Sequence, residues 1–146
     1  MAFVIDDSVD IDAPAEVVWQ VLTDFERYGE WNSFCLECST TLEPGSPIAM
    51  RERLMGRRET RQREVIRSHT PGVEFSHTMN PAPLGALRSV RSHTVTPLDA
   101  GRCRYGSYFE LDGWLHPVVG GMLGSAFRRG FGSMTAGLAR RAEQLT

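Results

Sequence analysis

No run in these 146 residues is apolar for long enough to span a bilayer, so no transmembrane helix is expected. The opening MAFVIDDSVD carries acids where a secretory leader carries a basic stretch and then an apolar one, which points to a cytoplasmic protein. A formal net charge of only −2 gives no global attraction to nucleic acid or to a membrane surface, and neither is expected as a partner. Three cysteines, Cys35, Cys38 and Cys103, cannot form a fully paired disulfide framework, and a reducing compartment leaves them as thiols. No internal repeat or low-complexity linker divides the chain, so residues 1–146 read as a single domain. That length is enough to bury a core and still spare volume for a pocket.

Two motif spellings are present without their context. Cys35-Leu-Glu-Cys38 has the C-x-x-C spacing of redox and zinc sites, but it falls in an expected strand. There, residues three apart point to opposite faces, so the thiols are expected neither to meet nor to hold a metal. The glycines from Gly120 to Gly137 do not follow a strand in a βαβ unit and so cradle no phosphate. Each weakens a helix by roughly 1 kcal/mol relative to alanine, which calls for close packing or for a soft first turn, His116 to Gly121, serving as a portal. No cofactor is implied.

What the chain does contain is ordered. Phe3 to Ile11 reads as a strand. Asp12, Pro14 and Glu16 then mark a helix start, because proline suits the first turn and acids suit the positive end of the dipole. A helix of about three turns follows, with Val17, Val18, Val21, Leu22 and Phe25 on one face and Glu16, Gln20 and Asp24 on the other. Six further strands are expected over Phe34–Leu42, Ile48–Met55, Glu59–His69, Val73–Met79, Leu87–Thr96 and Arg102–Asp112, separated by turn residues in an antiparallel meander. From Leu115 the spacing is helical. Val119, Leu123, Phe127, Phe131, Met134, Leu138, Ala142 and Leu145 form one apolar face, and Arg128, Arg129 and Arg140 form the solvated one.

The segment IDAPAEVVWQVLTDFERYGEWNSF, Ile11 to Phe34, with the meander, the GRCRYGSYFEL strand and the closing helix, resembles the SRPBCC superfamily. These are START-like, helix-grip proteins that include polyketide cyclase/dehydrase-type domains. The resemblance covers nearly the whole chain and implies an α+β fold: a curved antiparallel sheet of about seven strands around a long C-terminal helix, with one or two short helices after the first strand. It also implies an internal cavity for an apolar small molecule. It does not imply a reaction, because function belongs to the site and not to the scaffold.

Strand alternation assigns the cavity faces. Ile48, Met50 and Leu54 bring Glu52 inward, and Val73, Phe75 and Met79 bring His77. In the strand from Leu87, one register turns Ser89, Arg91 and His93 inward with Val95, while the other offers Arg88, Val90, Ser92 and Thr94. Cys103, Phe109 and Leu111 share a face with Tyr105 and Ser107. The expected ligand-binding set is therefore Met50, Glu52, Phe75, His77, Arg91, His93, Tyr105, Ser107 and Phe109, with Phe127, Phe131 and Met134 from the helix. Trp31 reads as a core corner or as cavity wall, and Asn80–Gly85 as a turn or as the rim of the entrance. Charged groups such as Glu52 and Arg91 are too costly for a dry core and suit a wet or ligand-filled one.

Three functions fit. The first is a monomeric or homodimeric carrier or sensor that binds an apolar or aromatic metabolite. The second is a cyclase or dehydratase in which His77 or His93 is the general base and Arg91 or Tyr105 stabilises an enolate or protonates a leaving hydroxyl. The third is a protein-interaction or co-chaperone module, which requires an exposed apolar patch. The sequence offers no obvious patch, because its apolar residues are accounted for by the helices and the sheet interior.

Overall fold

The computed structural model of this protein describes residues 2–146. Strand β1 (Phe3–Ile11) buries Ile5 and Ile11. Pro14, held extended, caps helix α1 (Ala15–Thr23), whose first turn carries Glu16 and whose inner face buries Val18, Val21 and Leu22. The helix is shorter than the expected three turns. Asp24 leaves helical geometry, and Phe25–Glu30 continues as a 3₁₀ segment, the tighter geometry suited to short pieces. The Trp-Asn turn follows from one side chain: Asn32 Oδ1 accepts the backbone N–H groups of Phe34 and Cys35 at 3.0 and 2.8 Å and launches the next strand.

That strand is β2 (Cys35–Thr40), followed by β3 (Pro47–Met55), β4 (Arg58–Thr70), β5 (Glu74–Thr78), β6 (Arg88–Asp99) and β7 (Arg102–Asp112). Together with β1 they form one seven-stranded sheet in the order β1-β7-β6-β5-β4-β3-β2, antiparallel at every step. The pairing shifts register within β2, β3, β4 and β6. Such bulges bend strands and increase twist, which lets a sheet curve around a helix. Helix α2 (His116–Gln144) fills the concave side and buries Phe131, Met134, Leu138 and Ala142. The architecture is the expected α+β helix-grip.

Packing explains the helix glycines. A Cβ at Gly120 or Gly124 would lie 3.0 Å from the Phe3 ring, one at Gly130 would strike Phe34, and one at Gly137 would strike the Trp31 carbonyl. Two ends of the sequence pattern need correction. Val73 precedes β5 and is half exposed, and Leu145 follows the last helical turn and faces water.

Candidate functional site

Between the sheet and helix α2, from Val119 to Met134, lies a cavity of about 340 Å³. Its size falls in the range of small-molecule sites. Phe34, Phe109, Phe127 and Phe131 form one wall, with ring centroids 4.8–5.8 Å apart in tilted, stacked and edge arrangements. Ile48, Met50 and Leu54 line the side formed by β3, and Val119, Leu123 and Met134 line the helix.

Ten of the twelve residues expected at the ligand lie on this surface: Met50, Glu52, Phe75, His77, Arg91, His93, Phe109, Phe127, Phe131 and Met134. Tyr105 and Ser107 do not. Both are fully buried behind the surface, where they hold the residues in front of them. The open register of β6 resolves inward for Ser89, Arg91, His93 and Val95. Trp31 packs against the core rather than on the cavity.

Each polar group has a definite environment. Arg91 is 6% exposed, and its Nη1 donates to Ser107 Oγ at 2.8 Å and to the Tyr108 carbonyl at 3.2 Å. Its guanidinium carbon sits 4.2 Å from the centroid of the Phe131 ring. No carboxylate pairs with it among the described residues, and its buried Nη2 has no hydrogen-bond partner there. His93 Nδ1 lies 2.6 Å from the Tyr105 hydroxyl. Burial, then the charge of Arg91, holds the His93 imidazole well below its ordinary pKa, so it is neutral at pH 7. Burial likewise raises the Tyr105 phenol.

His77 is the register partner of Arg91 across β5 and β6. Its Nδ1 lies 2.7 Å from Glu64 Oε1, which leaves Nε2 as the free ring nitrogen. Glu52 differs from all of these: no hydrogen bond or ion pair reaches its carboxyl among the described residues. Burial, then the negative charge of Glu64, pushes its pKa up to about 7.

The sequence reading missed Glu64. The signal was present, since Glu64 shares the face of Ile66 in β4, but the adjacent Val65 makes that strand's alternation ambiguous. The expectation that Cys35 and Cys38 point to opposite faces is overturned. A register shift between Cys35 and Glu37 inserts the extra residue that brings positions three apart to one face, and both cysteines line the cavity. Their thiols are neighbours. Cys38 and burial hold the Cys35 thiol far above its ordinary pKa, and all three cysteines are free. No group of three or more potential metal ligands converges among the described residues.

An exposed apolar stripe is also present, contrary to the sequence reading. Trp114, just before α2, and Val118 and Met122 in its first two turns are 64%, 56% and 77% exposed. Leu84 joins them, its carbonyl accepting the Trp114 indole N–H at 3.0 Å. This bond ties the Asn80–Gly85 loop to the residues that lead into α2.

Comparison with known proteins follows the same outline. A START superfamily protein from Mycobacterium smegmatis is 18% identical, with 98% of this chain and 99% of that one aligned at a TM-score of 0.77. The ZhuI aromatase/cyclase from Streptomyces sp. R1128 is 15% identical over 99% and 95% of the two chains, with a TM-score of 0.79. Norcoclaurine synthase from Thalictrum flavum, solved with dopamine and hydroxybenzaldehyde, is 12% identical over 100% and 89%, with a TM-score of 0.72. At these identities the likeness is one of fold. No curated protein matches the sequence. The family described as polyketide cyclase / dehydrase and lipid transport matches residues 2–143, and this chain therefore belongs to that family, within the SRPBCC superfamily.

Proposed function

We propose that the protein binds an aromatic or apolar small molecule inside this cavity and orients it through one oxygen-bearing end. The observation that carries the reading is the Arg91 Nη2, a buried donor without a hydrogen-bond partner among the described residues, beside a chamber whose other walls combine phenylalanine and aliphatic side chains with Glu52, Glu64, His77 and His93. An unmade hydrogen bond at a buried charged group costs roughly 1–3 kcal/mol or more, and a ligand oxygen removes that cost. Native mass spectrometry of protein purified from its own host tests it. A retained small molecule of matching size is expected. The reading fails if the protein is empty and binds neither hydrophobic dyes nor a panel of bicyclic aromatics.

One observation favours a second reading, in which the same cavity catalyses proton transfer in a cyclase or dehydratase. Glu64 orients His77 in the manner of an orienting carboxylate beside a general base, and Arg91, in the next strand, is available for a developing enolate. His77→Gln separates the two. Turnover falls on the order of a hundredfold or more at nearly unchanged affinity if His77 is a base. Affinity changes by roughly 0.5–1.5 kcal/mol with no effect on products if it only orients the ligand.

A further inference from the structure

The cavity holds two charged side chains that the protein leaves incomplete, and together they specify a ligand class. Arg91 is fixed from behind by Ser107 and the Tyr108 carbonyl, neutral acceptors that position the guanidinium without cancelling its charge. Its nearest aromatic, Phe131, adds attraction but no counter-ion. Glu52 stands on β3 at the other side of the chamber, likewise without a partner, and the charge of Arg91 reaches it. We infer, building on the cavity-binding reading, that the ligand is an organic carboxylate whose anionic end sits on Arg91 and whose entry is coupled to proton uptake by Glu52.

The charge balance of the chamber supports this pairing. From β2, Glu52 faces the neutral thiol of Cys35 and the side chain of Cys38; from the 3₁₀ segment it faces the Tyr28 phenol, whose pKa burial raises. β4 contributes Glu64, tied to His77 of β5, and β6 contributes Arg91 and the neutral His93. Helix α2 contributes only apolar lining. A carboxylate arriving on Arg91 adds a negative charge to a chamber that already holds Glu64, and the group least committed to its charge is Glu52, poised near pH 7. Protonating Glu52 removes one of the carboxylate charges that the arriving ligand would otherwise meet. A neutral ligand adds no charge and raises the Glu52 pKa only by displacing water, so it takes up less.

Calorimetry on the intact protein at pH 7 tests this with 2-naphthoate, ionised at that pH, and its neutral counterpart 2-acetonaphthone, each titrated in two buffers of different ionisation enthalpy. Naphthoate is expected to bind more tightly by about tenfold or more, the worth of a charge-assisted hydrogen bond. It should take up a measurable fraction of a proton per ligand, the share of Glu52 still ionised at a pH near its pKa of about 7. Acetonaphthone should take up less. Arg91→Gln should lose the preference and keep acetonaphthone binding, and Glu52→Gln should keep naphthoate and lose the proton. Because the uptake is read in the unaltered protein, the test does not depend on either variant folding. Equal affinities for the two compounds, naphthoate binding without uptake, or uptake undiminished in Glu52→Gln would each overturn the inference while leaving the cavity reading standing. Failure of both compounds to bind would remove the cavity reading and this inference with it.

Discussion

The two ends of the interior are built from the same sheet and the same helix, yet one is dry and the other is not. Where α1 is wedged between the sheet and the C-terminal half of α2, Ile11, Val18, Leu22, Cys103, Leu138 and Ala142 are almost completely excluded from water and leave no room for charge. Beyond the end of α1 no helix among the described residues fills the gap, and there the sheet faces α2 across open space lined by Glu52, Glu64, His77, Arg91 and His93. The difference shows what tolerates buried charge in this fold. The strands alternate in the same way at both ends, so the missing filler, rather than the strand pattern, creates the polar chamber.

The largest expected effect breaks that contrast by truncation. Leu22→Ala, at the dry end, should destabilise the protein by roughly 2–5 kcal/mol, because close-packed surroundings cannot collapse onto the hole. Leu123→Ala, whose side chain already faces space, should cost about 1 kcal/mol or less. Urea denaturation of both variants checks the ratio, and equal losses would mean that the cavity is filled in solution by packing the structure does not show.

The next effect is a pH dependence. Below the ordinary glutamate pKa of 4.5 the folded and unfolded chains both hold the Glu52 proton; between 4.5 and about 7 the unfolded chain releases it first. The folded state then binds more protons, so this group's contribution to stability falls as pH rises through that window and levels off above it. Glu52→Gln lacks the slope. The difference in unfolding free energy between variant and parent should grow by at most roughly 3 kcal/mol from pH 4 to pH 8, in favour of the variant. A constant difference across that range would place the Glu52 carboxyl in ordinary solvent.

The smallest effect lies outside both ends. Arg104 pairs with Asp10 at 2.7 Å on the water-facing side of β7, where both side chains are well exposed. Arg104→Ala should change stability by about 0–1 kcal/mol, as exposed pairs do. A larger loss in thermal melts would show that the outer face of the sheet carries more of the stability than burial suggests.

Much of this contrast was legible in the sequence. Period-two alternation placed Phe75 with His77 and Phe109 with Cys103, and the proline before Ala15 marked the helix, because these signals are local. What was not legible depends on register and depth. The bulge beside Cys35 has no side-chain signature, so the two cysteines were assigned to opposite faces. Glu64 was hidden by Val65 and Ile66, adjacent apolar residues of which only Ile66 is fully buried. Tyr105 and Ser107 point inward as the alternation requires, but His93 and Arg91 stand between them and the cavity, and alternation carries no information about which inward side chain lies in front.

The central claim is that ligands enter the chamber beside α2 rather than settling on the exposed stripe of Trp114, Val118 and Met122. Fluorescence titration of a hydrophobic dye such as 1-anilinonaphthalene-8-sulfonate into the parent and into Leu123→Trp, whose indole would occupy the chamber, separates the two sites. The account predicts that the dye binds the parent and is lost from a variant that still melts cooperatively. Unchanged binding in Leu123→Trp, with loss in Met122→Ser instead, would contradict it.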